Sequence, residues 1–284
     1  MKSVVVTGAS TGIGWGCVKV LAANGFHVFG SVRKQADADR LSKEFGASFT
    51  PRMFDVTDAV GVKRGAEAVE KALNGETLGG LVNNAGIAVA GPLLYLPIDE
   101  LRQQIEVNLI GQMIVTQAFA PLLGTDRSRQ GKPGRIVMMS SIGGKNAFPF
   151  MGPYSASKFA LEGLSESLRR ELMLFGIDLI IIRPGAVATP IWDKADQVDV
   201  SQFANTPYFK ALENIKKVML DQGRKGYPPE RIGRAVLKAL TTRRPKTAYV
   251  ENPNKAQGLA VSLLPKRMAD AAIATMVGLK PAKT

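Results

Sequence analysis

Val4-Val5-Val6-Thr7-Gly8-Ala9-Ser10-Thr11-Gly12-Ile13-Gly14 is a short strand that turns through three glycines into a helix. Consecutive valines suit a buried strand. Glycine lets the backbone approach a bulky anion closely, and a helix that begins there directs its free N–H groups and positive dipole at that anion. The spacing is Gly-x-x-x-Gly-x-Gly rather than the Gly-x-Gly-x-x-Gly of the commoner dinucleotide fingerprint. Taken alone, the turn is open to two readings, a pyrophosphate cradle or a purely conformational end to a strand.

The rest of the chain repeats the opening unit. Strand-like runs fall near Ser3–Thr7, Phe26–Val32, Ser48–Asp55, Gly80–Val82, Arg135–Ser140 and Ile177–Arg183. Amphipathic stretches fall between them, near Gly14–Ala23, Asp37–Phe45, Asp58–Leu73, Asp99–Leu122 and Tyr154–Leu174. Gly25 and Gly176 stand where helix C-terminal caps belong. Parallel strands need such helical crossovers, and right-handed crossovers wind them into a doubly wound sheet with helices on both faces. The fold class is therefore α/β, a Rossmann-type three-layer sandwich. No flexible linker, repeat or low-complexity tract divides the 284 residues, so they read as a single domain. After Pro184-Gly185 the pattern turns irregular over about 186–226, with short helical pieces near Pro207–Leu220, as an insertion over the active face. A helix (Pro229–Thr241), a strand (Thr247–Val250) and a helical extension over about 253–284, with its helix at Lys266–Val277, complete the chain.

Composition removes several function classes. No apolar run approaches the ~18 residues that span a bilayer, and no secretory signal fits before the first strand. Cys17 is the one cysteine and His27 the one histidine, so a disulfide framework, a zinc cluster and any metal site are not expected. His27 lies in the strand-like Phe26-His27-Val28-Phe29, a place for structure rather than for a Ser-His-Asp triad. A reducing, cytoplasmic setting follows. The net charge is +13, with 37 Lys and Arg against 24 Asp and Glu. Residues 223–284 carry 13 basic and three acidic side chains, so most of the excess lies there. These bases are dispersed over helix-like segments with few aromatics, the pattern of a solvated face; nucleic acid is not an expected partner.

Acid–base chemistry must then come from other groups. Tyr154-Ser155-Ala156-Ser157-Lys158 places a tyrosine and a lysine one helical turn apart on one face. A tyrosine of pKa ~10 is a poor base at neutral pH, but a neighbouring ammonium favours the phenolate. The pair can exchange a proton with a carbonyl or alcohol oxygen. Ser141, thirteen residues before Tyr154, ends the run Ile136–Ser141 at the carboxyl edge where α/β sheets bind ligands; its hydroxyl can polarise the same oxygen. The second strand ends in Val32-Arg33-Lys34, with no carboxylate before Asp37. A dinucleotide with a free ribose 2′-hydroxyl calls for an acid at this place, whereas Arg33 suits a 2′-phosphate.

These elements, in this order, resemble the short-chain dehydrogenase/reductase family over about residues 1–190. The resemblance rests on Thr7-Gly8…Gly12-x-Gly14, Asp55-Val56, Asn83-Asn84-Ala85-Gly86, Asn108 in Val107-Asn108-Leu109-Ile110-Gly111, Ser141, Tyr154/Lys158 and Pro184-Gly185…Thr189. It implies a catalytic tetrad of Asn108, Ser141, Tyr154 and Lys158, with Asn108 at a helix irregularity and Lys158 also bonded to the nicotinamide ribose. It implies a cofactor site made of Gly8, Ser10, Thr11, Gly12, Ile13, Gly14, Arg33, Asp55, Val56, Asn83, Ala85, Gly86, Tyr154, Lys158, Pro184, Gly185, Val187 and Thr189. Asp55 and Val56 would meet the adenine, Asn83 to Gly86 the adenosine half, and Val187 and Thr189 the carboxamide. NADP(H) is expected ahead of NAD(H), on Arg33 chiefly, because Thr11 fills a place where some NADP-using members carry a base.

The expected activity interconverts a lipophilic ketone or aldehyde and its alcohol. The substrate wall would include Val89, Gly143, Phe148, Phe150, Trp192 and Phe203, and the tail around Tyr249 and Leu263-Leu264-Pro265 is similar to the hydroxysteroid and retinol dehydrogenase branch. A 3-oxoacyl-thioester or other polar-substrate reductase is the alternative within enzymes; a dinucleotide-sensing regulator is the alternative outside them, although it has no need of Ser141, Tyr154 and Lys158. The family's habit implies a homodimer or homotetramer built through the long helices. Trp15 and Cys17 read as packing residues.

Overall fold

The computed structural model describes residues 2–253 and 264–279. Seven strands form one sheet: β1 (Lys2–Val6), β2 (Phe26–Val32), β3 (Phe49–Met53), β4 (Gly80–Asn83), β5 (Arg135–Met139), β6 (Asp178–Pro184) and β7 (Ala248–Glu251). Their order is β3-β2-β1-β4-β5-β6-β7 and every neighbouring pair is parallel. The order reverses between β1 and β4, and the crevice beyond the carboxyl ends of those two strands is where such sheets take ligands.

Helices cover both faces. On one lie α1 (Gly12–Ala23), α2 (Gln35–Phe45) and α9 (Pro229–Thr241). They bury Val18, Leu21, Leu41, Ile232 and Val236 against alternate strand residues such as Val4, Val6, Val28 and Ile182. The α1–α9 crossing is close because Gly16 and Gly233 meet there; a Cβ on Gly233 would stand 2.4 Å from the Gly16 carbonyl oxygen. The other face carries α3 (Ala59–Leu73), α4 (Ile98–Ile105), α5 (Gly111–Phe119) and α6 (Gly152–Glu171), with Val62, Val69, Phe119 and Leu161 packed on Val5, Leu81, Ile136 and Leu179. Successive residues in a strand thus feed opposite cores, as Val4 and Val6 do on one face and Val5 on the other, which is why these strands read as unbroken apolar runs. At roughly 25 cal/mol per Å² of buried apolar area, each fully buried Leu or Ile in these layers stabilises the fold by ~1.5–3 kcal/mol.

A third, smaller apolar cluster lies beyond the carboxyl edge. Leu96, Phe150, Phe203, Leu212 and Ile215 pack there with Val277. They come from the loops after β4 and β5, from the 3₁₀ turn Ser201–Phe203, from α8 (Phe209–Arg224) and from α10 (Lys266–Val277).

The structure departs from the sequence reading in four places. The helix expected over Asp99–Leu122 is α4 and α5 joined through a π-helical turn at Glu106–Ile110, in which the Gly111 amide reaches the Glu106 carbonyl and which is the irregularity the family resemblance implied at Asn108, and it closes with a 3₁₀ turn at Pro121–Leu123. The region after Pro184-Gly185 is more regular than expected, with α7 (Ile191–Asp196) and the sixteen-residue α8, whose apolar stripe buries Ala211, Leu212 and Ile215. The third strand stops at Met53, short of Asp55, and α1 begins two residues early, at Gly12. Of the extension expected over 253–284, residues 254–263 and 280–284, and with them Leu263, lie outside the described residues.

Candidate active site

The glycine turn is built for contact. Gly8 and Gly12 take left-handed backbone angles, φ 65° and 58°, which residues with a Cβ adopt rarely. A Cβ on Gly14 would lie 2.0 Å from the Gly8 carbonyl oxygen, so α1 can close on the turn only with glycine there. Thr7 ties the turn to the β4 loop: its hydroxyl accepts from the Asn84 and Ala85 amides at 2.9 and 3.0 Å, and the Asn84 amide group donates back to the Thr7 carbonyl. Ser31 accepts from the Gly8 amide at 2.9 Å. Thr11 precedes α1 without capping it through its side chain, and no acid stands in the first turn. The helix N-terminus therefore offers its dipole and N–H donors to an outside anion, which fits a pyrophosphate.

Arg33 lies just beyond β2 with its side chain 72% exposed, and its guanidinium contacts Asp55 at 3.2 Å. Asp55 is held in turn by the Thr57 amide and hydroxyl. Burial pushes the Asp55 carboxyl up, but these bonds and Arg33 together bring it below the usual carboxylate value. Arg33 is thus presented beside the expected adenosine half on a weak surface ion pair, one a phosphate can displace at small cost. The Ser10 carbonyl accepts from Arg40 of α2 at 2.5 Å. Trp15 has a structural place: its indole N–H donates to Glu44 at 2.8 Å and Lys19 lies over its ring, so it joins α1 to α2. Cys17 is wholly buried and its thiol is pushed up to about 12, which leaves it inert. His27 bridges strands through the Ala47 carbonyl and the Thr50 hydroxyl.

The residues of the β4 loop divide. Ala85 lies against Gly8, and Gly86 against Asn108. Asn83 instead points into the core, donating to Thr116 at 2.7 Å, and Val56 is buried against Gly111. Their side chains steady strands and helices. Across the crevice, the segment after β6 returns over the glycine turn: a Cβ on Gly12 would touch Thr189 at 3.2 Å. Gly185 donates to the Glu251 carbonyl at 2.8 Å, and Val187 pairs with Tyr227.

Ser141, Tyr154 and Lys158 come together at the β5 end of the crevice. Ser141 caps a 3₁₀ turn, accepting from the Gly143 amide at 3.0 Å. Gly143 lies against the Tyr154 ring, where a Cβ would meet the ring edge at 3.2 Å. Lys158 is buried, 5.8 Å from the centroid of that ring, and donates to the Met139 carbonyl at 2.7 Å. Burial pushes the Tyr154 phenol up, opposed by its hydrogen bond with Ser141. Burial also lowers Lys158 to about 8, opposed by Glu162 one turn along α6. The site therefore holds a protonated phenol at neutral pH beside a lysine poised near it, a group suited to giving a proton to an oxygen.

Asn108 lies in the π turn and is buried. Its side chain accepts from the Ile87 amide at 2.8 Å and donates to the Ile87 carbonyl at 3.0 Å and to Ser157 at 3.2 Å. Gln104, one turn earlier, does the same for the next piece of that loop: it accepts from the Val89 amide at 2.7 Å and donates to Ile87 and Ser157. Ser157 passes the chain on to the Tyr154 carbonyl. Two amides thus fix the loop carrying Val89 to the helix carrying Tyr154. The sequence reading missed Gln104; a polar residue four before Asn108, on the helix face that must be buried, is the signal that could have found it. Replacing Gln104 with Leu strands the Val89 N–H, and a loss of ~1–3 kcal/mol in unfolding free energy is expected, measured by denaturant titration.

The six expected substrate-wall residues are not equivalent. Phe148 is on the rim, 38% exposed. Phe150 and Phe203 are buried in the third cluster, with Val89 packed on its edge. Trp192 is turned into the protein: it donates to the Val187 carbonyl at 2.7 Å and covers Gly223, where a Cβ would fall 2.2 Å from the indole.

A family model for short chain dehydrogenases matches residues 2–199. The chain belongs to the short-chain dehydrogenase/reductase family. It is similar to the NADPH-dependent 3-dehydrocapnine reductase of Ornithobacterium rhinotracheale, 37% identical over 271 residues that make up 95% of each chain. It is also similar to human retinol dehydrogenase 5, 31% identical over 99% of this chain and 90% of that one. Among solved structures, a short-chain dehydrogenase/reductase from Burkholderia phymatum in complex with NAD matches its fold with a TM-score of 0.78, at 22% identity over 92% of each chain. The chain is an oxidoreductase of this family, acting between carbonyl and alcohol with a nicotinamide dinucleotide. Among its described residues, no helix is long and apolar enough to cross a membrane.

Proposed function

We propose that the protein is an NADP(H)-dependent reductase of a lipophilic ketone or aldehyde, with Tyr154 as its general acid. The observation that carries this is the convergence of Ser141, Tyr154 and Lys158 on one point of the crevice, opposite a glycine turn shaped for a pyrophosphate. The bound dinucleotide supplies or accepts the hydride. Gly8 to Gly14 would hold its pyrophosphate at the start of α1, Arg33 and Ser10 would bind the 2′-phosphate, and Val187 and Thr189 would hold the carboxamide. Ser141 and Tyr154 bind the carbonyl oxygen; Tyr154 gives its proton as charge develops there, and the Lys158 ammonium stabilises the phenolate left behind. Asn108 fixes the loop and the helix between which the substrate sits.

The pH dependence follows from the raised phenol. Reduction needs the protonated Tyr154 and persists at neutral pH, falling only as the Tyr154/Lys158 pair loses its proton on the alkaline side. Alcohol oxidation needs the phenolate and rises with pH through the same range.

The substrate class is supported by the three loops at the carboxyl edge, where Leu93, Leu94, Tyr95, Phe148 and Ile191 are exposed, and by the names of the two relatives above. Residues 186–226 act as a lid over this edge. NADPH consumption across steroids, retinoids, quinones and acyl thioesters tests the class; turnover confined to acyl thioesters would replace it with the polar-substrate alternative. Ile98, Ile110 and Phe159 on α4, the π turn and α6 are also exposed and support a homo-oligomer through the long helices. Sedimentation at micromolar concentration should show a species above ~30 kDa, at least the dimer.

A further inference from the structure

Among the described residues, Glu162 is a buried charged residue that the mechanism above leaves without a task. It is 3% exposed, one turn beyond Lys158 on α6. Arg183 at the end of β6 grips it with both arms, at 2.9 and 2.6 Å. Lys145, from the turn that follows Ser141, reaches it at 3.4 Å. Gly144 in that same turn has no room for a side chain, because a Cβ would meet the Ser140 hydroxyl at 2.8 Å, the Lys158 carbonyl at 3.0 Å and the Glu162 side chain at 3.2 Å. One carboxylate thus lies beneath the Ser141 turn, the Lys158 helix and the strand that leads into Pro184-Gly185.

Burying a carboxylate costs several kcal/mol in solvation, and a tie between β6 and α6 could be made with apolar side chains. The arrangement has a different electrostatic meaning. Arg183, then the Ser140 hydroxyl and Lys145, keep Glu162 ionised despite its burial, and the ionised group lies on the helix face that carries Lys158. Other elements packed around Lys158 offer little competing charge. Tyr154 is a phenol, Met139 gives a carbonyl, and α4 with the π turn presents the neutral Gln104 and Asn108, while Asp99, Arg102 and Glu106 are exposed. Glu166 is the further acid that acts on Arg183.

We propose that Glu162 is a positioning residue: it is the buried counter-charge that keeps the Lys158 ammonium protonated, with Arg183 and Lys145 setting how much of its charge Lys158 feels. The consequence for catalysis rests on the reading of Tyr154 and Lys158 given above; the effect on Lys158 itself does not.

The two partners of the ion pair should act in opposite directions. Glu162→Gln removes the negative charge, so Lys158 should lose its proton about one unit or more earlier in pH. Arg183→Met leaves the carboxylate less compensated, so Lys158 should keep its proton to higher pH; Lys145→Met, at a half-exposed position, should move it the same way by less. The measurement is an NMR pH titration of the chain carrying ¹³Cε-lysine, with Lys158→Met to assign the resonance. Loss of a merely structural bridge would leave Lys158 unmoved, or move it alike in both partners' variants, and either result overturns the proposal. If Glu162→Gln does not fold, the Arg183→Met and Lys145→Met titrations decide it alone. The alkaline limb of carbonyl reduction should follow the same shifts. If Lys158 shifts as expected but Tyr154→Phe retains turnover, the catalytic reading fails and the electrostatic one stands; the reverse outcome separates them the other way.

Discussion

Tyr154→Phe lowers carbonyl turnover by at least ~10²-fold, the effect of removing a general acid–base from a transition state, while cofactor affinity stays near the wild-type value. The geometry gives both halves of this expectation. A phenyl ring keeps the contact with Gly143 and the place beside the Lys158 ammonium, 5.8 Å from the ring centroid, so the turn and the helix are not disturbed. Lost are the proton and the hydrogen bond to Ser141. The loss should appear in kcat and kcat/KM alike, because the bond to the developing oxyanion forms fully only in the transition state. NADPH binding, followed by fluorescence titration of the same preparation, is the control. Near-normal turnover would remove Tyr154 from the mechanism.

The second large effect is expected at the cofactor end. Arg33→Ala should weaken NADPH by about one to two decades in affinity, the loss of a charge-assisted contact of ~1.5–3 kcal/mol, and leave NADH nearly unchanged. The side chain is 72% exposed and, among the described residues, its ion pair is with Asp55, so stability should hardly move. A carboxylate at Val32 is no useful companion change, because that side chain is 2% exposed and packed in the sheet core, where a charge is expensive. The ratio of kcat/KM for NADPH and NADH, in wild type and variant, is the measurement. An unchanged ratio would show that another base, Arg40 or Lys34, reads the phosphate.

The strands, most helices and the meeting of Tyr154 with Lys158 were legible because each depends on neighbours in the chain. Short unbroken apolar runs set the strands, helical spacing of apolar residues sets a helix face, three glycines set a turn, and Tyr154 and Lys158 meet because four residues make one helical turn. Even the left-handed caps at Gly25 and Gly176 are local. The π turn at Glu106–Ile110 was not legible from periodicity, since Val107 to Gly111 continue a helical pattern. It is tied into the tertiary structure by the side chains of Gln104 and Asn108, which are drawn to loop amides 15 and 21 residues away.

The same division holds for what a residue faces. The sequence by itself determined that an oxidoreductase fold carries Ser141, Tyr154 and Lys158 in order, and that Arg33 stands where an acid would otherwise be. Only the tertiary structure decided that Trp192 covers Gly223 and bonds the Val187 carbonyl, that Phe150 and Phe203 sit in a core of their own, and that Lys158 shares its interior with Glu162. Those outcomes depend on which surfaces lie within a few ångströms across elements distant in sequence. Burial then sets the electrostatics, because the cost of a charge depends on how much water its neighbours leave it.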